Sequence, residues 1–132
     1  GLQSHPHWEQ FASLKNAVAP KHLTELMLHA GQADRPDGLI IADDNLIAGA
    51  TEGILQAGMR VPDELAVVAM TNFPHILPAA VPVTRIGYDV PAMLDLLTAR
   101  LEQLAKGQTP VEVTSVPAIL ESDYNPPPPT NP

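Results

Sequence analysis

The stretch Leu39-Ile40-Ile41-Ala42-Asp43-Asp44-Asn45 places two carboxylates at the end of an apolar run, just where a helical pattern begins. In an open α/β sheet ligands bind there, in the crevice beyond the carboxyl ends of the strands. Two adjacent acids can divide the work. One caps the helix by accepting backbone N–H bonds, worth about 1 kcal/mol, and Asp44 is placed to do so. The other projects into the crevice and accepts hydrogen bonds from ligand hydroxyls or amines. The plainer alternative is that both acids only cap and solvate the turn. A second apolar run ends in Ala69-Met70-Thr71-Asn72-Phe73. Thr71 offers a hydroxyl, Asn72 an amide that both donates and accepts, and Phe73 an apolar face. That mixture suits a polar organic ligand, although Thr and Asn are also ordinary turn residues.

Other chemistry is poorly supported. The chain has five histidines and fifteen acids, enough in number for a general base or a metal site, but none is arranged for one. His5 and His7 alternate in an expected N-terminal loop, and His75 follows Pro74. His22 and His29 stand nearly two turns apart, too far for the i, i+3 or i+4 spacing that puts two ligands on one ion. They read as surface histidines, and neither an enzyme, a metal nor a cofactor is expected. Trp8 is expected to anchor the N-terminal loop. Asp43 and Asp44 also resemble the acidic pair that holds magnesium in response-regulator receiver domains, since carboxylates at a strand end are sound hard-cation ligands. A receiver needs a phosphoacceptor Asp at the end of a later strand, where this chain has Val68-Ala69-Met70-Thr71, and a later Lys, yet none occurs between Lys21 and Lys106.

Composition narrows the partners. The net charge is −8 with only 7 Lys and Arg, so the basic footprint of phosphate binding is missing and the segment should not hold DNA unaided. No apolar run approaches the roughly 18 to 20 residues of a membrane span. The opening Gly1-Leu2-Gln3-Ser4-His5 has neither part of a signal peptide. The absence of cysteine suits a reducing cytoplasm, and a cytoplasmic location is expected.

The elements that must position the acidic turn follow from periodicity. Gly38 to Ala42 and Leu65 to Ala69 are short apolar runs with the pattern of parallel strands buried on both faces. Weaker strands are expected at Phe11 to Leu14, Val83 to Gly87, Val111 to Ser115 and Ala118 to Leu120. Helices are expected from Pro20 with a stripe of Leu23, Leu26, Met27 and Ala30, then from Asp44 with Ile47, Ala50, Ile54 and Ala57. A third opens near Asp89 and Pro91, with Met93, Leu97, Leu101 and Leu104 on one face. Gly31, Gly58 and Gly107 are natural stops. The order predicts an α/β layered fold with a parallel sheet and right-handed crossovers. Residues 1–124 form the domain, and 125–132 a Pro-rich tail that cannot supply ladder hydrogen bonds and is expected to be extended or disordered.

From Ala42 to Asn72 the sequence resembles, without a gap, the LacI/GalR-family stretch AND-x-x-A-x-GA-x-x-AL-x-x-x-G-x-x-VP-x-DVSVVGFDD. The matching residues are Ala42, Asp44, Gly49, Ala50, Gly58, Val61, Pro62, Val67 and Val68. The resemblance implies one partial lobe of a periplasmic-binding-protein-like fold that binds a small, sugar-like effector in the cleft between lobes and dimerises along the lobes' sides. Asp43 stands where the family usually has a ligand-contacting Asn, and Asp44 where an acid shapes the turn. Thr71 stands where an effector-binding Asp is common, Asn72 lies beside it, and Tyr88 falls on the crossover segment near the cleft. Asp for Asn at 43 exchanges a donor-acceptor for an acceptor only, and Thr for Asp at 71 removes a carboxylate, so a sugar-like ligand is the one expected, with a cationic or amine-bearing one as the alternative. The family's DNA-binding domain, hinge and first part of its N-terminal lobe have no counterpart here, so the chain is expected to be truncated, with DNA contact left to a separate domain.

In that family the helix from Val90 to Lys106 packs in the other lobe. Alone, its Leu stripe would be exposed, at roughly 1.5 to 3 kcal/mol for each large side chain denied burial. Self-association, swapping of this helix or folding back onto the sheet is expected. Leu46 and Ala50 on the second helix, with Phe73, Ile76 and Leu77 in the apolar loop after Asn72, are the expected dimer contacts.

Overall fold

A computed structural model describes residues 3–109 and 113–125. It contains four strands, β1 (Gly38–Ile41), β2 (Ala66–Phe73), β3 (Thr84–Asp89) and β4 (Ile119–Leu120), and three helices, α1 (Ala19–Leu28), α2 (Ile47–Gln56) and α3 (Val90–Ala105). The sheet runs in the order β1-β2-β3-β4. The first three strands are parallel and β4 is antiparallel to β3. The α/β layered fold with a mainly parallel sheet is thus the one expected.

Alternation along the strands decides where the core sits. In β2, Val67, Ala69, Thr71 and Phe73 are buried while Asn72 is exposed. The first two join Ile41 of β1, Leu28 of α1 and Ile47, Ala50 and Ile54 of α2 in one apolar cluster. Both helices cover this face. They approach closely because α2 offers glycine to α1: a Cβ at Gly53 would run into the Lys21 carbonyl and the Thr24 Cβ, and one at Gly49 would meet Pro20 Cβ at 3.1 Å. So tight a seam selects small side chains, and the buried face of α1 is Pro20, Thr24 and Leu28. The expected stripe is corrected accordingly, since Leu26 faces solvent and Leu23 and Met27 are only half-buried.

The sheet's second face carries the register rows Ile40-Val68-Thr84, Met70-Ile86-Leu120 and Asn72-Tyr88. It is open, with Ile40 72 % exposed. Burial on both faces, expected from the apolar runs, does not occur. A helix covers a second face only when a crossover carries it there, and here the β2–β3 connection is a loop while α3 leads away from the sheet.

Two weak strands are also corrected. Phe11 to Leu14 is irregular and turn, with Phe11 exposed and the Ser13 carbonyl and hydroxyl accepting from Asn16 and Lys15. Local side-chain and turn bonds replace a ladder there. Val113 to Ser115 is irregular; the rest of that expected strand, 111–112, and the tail 126–132 lie outside the described residues.

Candidate functional site

The acidic turn is built as the chain leaves β1. Asp43 is still extended (φ −133°, ψ 124°) and caps the short 3-10 turn Asp44–Leu46. Its Oδ1 accepts from the Asn45 backbone N–H and from Asn45 Nδ2, both at 2.9 Å. Asp44 does something else: its Oδ2 accepts from Asn72 Nδ2 at 2.7 Å, and its Oδ1 from Asn45 Nδ2 at 3.2 Å. The expected division of labour is therefore reversed at the cap. An N-cap must be extended while the next residues turn, and that condition falls on Asp43, whereas Asp44 already belongs to the turn and reaches across to the end of β2.

The structure brings Asp43, Asp44 and Asn72 to one rim, with Tyr88 beside Asn72 in register. Asn72 is exposed and Tyr88 half-buried. Thr71 stands apart. It lies on the helix-covered face, only 2 % exposed, and its Oγ1 has no hydrogen-bond partner among the described residues. Gly87 crosses it so closely that a Cβ there would run into the Thr71 carbonyl. Among the described residues neither Asp43 nor Asp44 forms an ion pair. No group of three or more His, Asp or Glu side chains there could hold a metal ion. The rim is an acceptor-rich, partly solvated edge suited to hydroxyl or amine donors.

The loop after β2 is held to its own domain. Phe73 is buried and stacks on Tyr124, with ring centroids 4.7 Å apart and planes at 15°. Ala80 N–H donates to Thr51 Oγ1 at 2.9 Å. Arg85, its side chain 14 % exposed, donates to the Leu77 carbonyl at 3.1 Å and to Glu121 Oε2 at 3.2 Å. Two expected dimer contacts are corrected: Ala50 and Phe73 fill the chain's own interior. Leu46 and Leu77 are half-buried and Ile76 remains exposed. Arg85 and Tyr124 were not singled out by sequence; a charged residue inside an otherwise apolar strand was the signal for the first, and Tyr124 carried none. Desolvation, and secondarily the Asp89 carboxylate, push the Tyr124 phenol above its ordinary range.

A separate groove of about 220 Å³ lies between the 3-10 turn Pro6–Trp8 and α1, lined by Trp8, Leu23, Leu26, Met27, Gln32 and Asp34 among others. Trp8 Nε1 donates to the Asp34 carbonyl at 3.4 Å, tying the N-terminal segment down. No helix among the described residues is long and apolar enough to cross a membrane.

A family described as the periplasmic binding protein-like domain matches residues 3–121. The lactose operon repressor of Rhizobium radiobacter is 40 % identical over 40 residues, which are 30 % of this chain and 35 % of that protein. Among solved structures, the lactose repressor bound to the anti-inducer ONPF superposes with a TM-score of 0.66 at 27 % identity, covering 79 % of this chain and 38 % of that one. A LacI family transcriptional regulator from Lactobacillus casei with bound sucrose gives a TM-score of 0.63 at 22 % identity, over 80 % of this chain and 38 % of that one. The chain thus spans little more than a third of the relatives it matches.

Proposed function

The chain belongs to the periplasmic binding protein-like domain family, and we propose that it is the small-molecule effector-binding part of a LacI-type transcription regulator. The observation that carries this reading is the rim itself. Two parallel strand ends are tied edge to edge by the Asn72–Asp44 bond of 2.7 Å, at the place where open α/β sheets bind ligands. Among the described residues Asp43 keeps Oδ2 outside the cap bonds described above, Asn72 keeps its side-chain Oδ1, and Tyr88 adds an aromatic face. These groups would accept from a ligand's hydroxyls or amines and stack on its apolar side. Thr71 joins them only if its hydroxyl is uncovered. Structures of the L. casei relative carry sucrose or glucose, and a sugar-like ligand is the class proposed here.

The role is binding, without covalent chemistry. In a two-lobed regulator a ligand acts by preferring one state of lobe closure, and its effect cannot exceed its difference in affinity for the two states. Contact with DNA would fall to a separate domain, in the cytoplasm. Pairing of copies is proposed as well, the lac repressor dimer being one of the matched structures.

A thermal-shift screen of the chain against sugars, polyols, nucleosides and amines tests the reading. A ligand present at a hundred times its Kd stabilises the native state by about 2.7 kcal/mol. The expected result is a saturable rise in Tm for one class that is lost in Asp43→Ala, each variant being compared with its own ligand-free baseline. A rise that survives the substitution would move the site elsewhere.

A further inference from the structure

The loop Pro74 to Val83 joins β2 to β3 with no helix or strand of its own beyond a single bridge at His75. Its two halves are held differently. The far half sits on the core: Ala79, Val81 and Val83 pack against the apolar cluster, and Ala80 N–H donates to Thr51 Oγ1. The near half continues directly from the rim residue Asn72 and has Pro74, His75 and Ile76 exposed. His75 N–H donates to the Asn72 carbonyl at 2.8 Å, and Arg85 Nη2 donates to the Leu77 carbonyl at 3.1 Å.

Arg85 holds a second segment as well. It lies beside Ala69 in the β2–β3 register, so its side chain shares the helix-covered face with Thr71 and Phe73. Its Nη1 donates to Glu121 Oε2 at 3.2 Å. Glu121 opens the 3-10 turn Glu121–Asp123. Tyr124 closes that turn, donates its N–H to the Leu120 and Glu121 carbonyls, and stacks on Phe73. One guanidinium thus fixes both the segment that follows Phe73 and the segment that stacks on it. Its planar fork sends N–H groups to separate acceptors, which the single nitrogen of a lysine would have to reach from one point.

We propose that Arg85 is the positioning residue of the strand-end rim. By holding Leu77 and Glu121 it sets Phe73, and with it the next residue back, Asn72, whose side chain meets Asp44 at 2.7 Å. Arg85 donates to neither Asp43, Asp44 nor Asn72; it acts through the backbone. Successive side chains of a strand point to opposite faces, so a shift of the Phe73 ring on the covered face turns Asn72 on the open one. Packing alone does not call for an arginine here, since an apolar pair of similar volume is often as stable as a buried ion pair. What the apolar pair lacks is the directional bond to the Leu77 carbonyl. The consequence for ligand binding rests on the reading of the rim given above, whereas the placement of Asn72 does not.

NMR spectra of the full chain without ligand test it. Arg85→Met/Glu121→Leu keeps the packing and removes both bonds, and it is expected to fold, with the amides of Ile47 and Ile54 in α2 unmoved. The Asn72 side-chain amide is expected to move to the position it takes in Asp44→Ala, and His75 N–H to exchange about tenfold faster or more. Should the double variant fail to fold, Arg85→Lys and Glu121→Gln take its place. Each keeps a polar group while weakening the clamp, and each is expected to move the Asn72 signal part of the way in the same direction. Asn72 and His75 signals that keep their parent values in a folded variant would overturn the proposal, as would shifts spread evenly over β2 and α2. A parent that binds no sugar would strike the ligand reading and leave these signals to decide the positioning role.

Discussion

Helices α2 and α3 both follow a parallel strand and both carry an apolar stripe, yet α2 buries Ile47, Ala50, Thr51, Gly53 and Ile54 while α3 buries nothing. The difference lies in the joints. Between β1 and α2 stand Ala42, Asp43 and the turn Asp44–Leu46, capped by Asp43, which reverses the chain so that α2 lies against the sheet it has just left. Between β3 and α3 there is no joint at all. The turn that carries the candidate ligand contacts is therefore the same device that makes one helix part of the core, and its absence at Asp89 lets the other helix run on away from the sheet.

The comparison is broken most severely in the covered region. Ile54→Ala, in a fully buried site, is expected to cost roughly 2 to 5 kcal/mol, whereas Leu101→Ala should change the stability of a dilute, unpaired chain by less than about 0.5 kcal/mol. Paired urea denaturation curves would show it. Next comes Gly53→Ala, whose added methyl meets the Lys21 carbonyl and Thr24 across the α1–α2 seam. A loss of roughly 1 to 3 kcal/mol is expected, checked by thermal melts. Asp43→Ala should cost about 1 kcal/mol through loss of the cap, while Asp43→Asn, itself a good cap, should cost only a few tenths. The smallest effect is at Tyr124, whose hydroxyl has no hydrogen-bond partner among the described residues. Tyr124→Phe should leave the stability near neutrality close to that of the parent. Its phenol is raised in the folded state above 10.0, so the stabilisation of the neutral form is complete below that value and is lost as pH climbs through the raised one. Alkaline titration of stability should therefore fall more steeply for the parent than for the variant.

What was legible in the sequence was whatever repeats. Apolar runs bounded by turn residues located β1 and β2, and glycine stops at Gly58 and Gly107 ended α2 and α3. The stripe Ile47, Ala50 and Ile54 named the buried face of α2 because that face packs on large apolar strands. The same reasoning failed on α1: its contact is with glycines, so Pro20 and Thr24 are inside and Leu26 is not. Periodicity cannot report how closely a neighbour approaches. Nor could it separate the tasks of Asp43 and Asp44, which one φ,ψ pair decides, or find the anchoring of the loop by Thr51 and Arg85, partners distant in sequence. The family stretch from Ala42 to Asn72 was legible because its spacing of small residues and of Val61-Pro62 is unbroken.

The central claim is that a small molecule binds at the strand-end rim. An NMR titration of the assigned amides with the best compound from the screen tests it most directly. Saturable shifts centred on Asp43, Asp44, Asn45, Asn72 and Tyr88 are the predicted result. Shifts confined to Trp8, Leu23, Met27 and Gln32, in the groove beside α1, would contradict it.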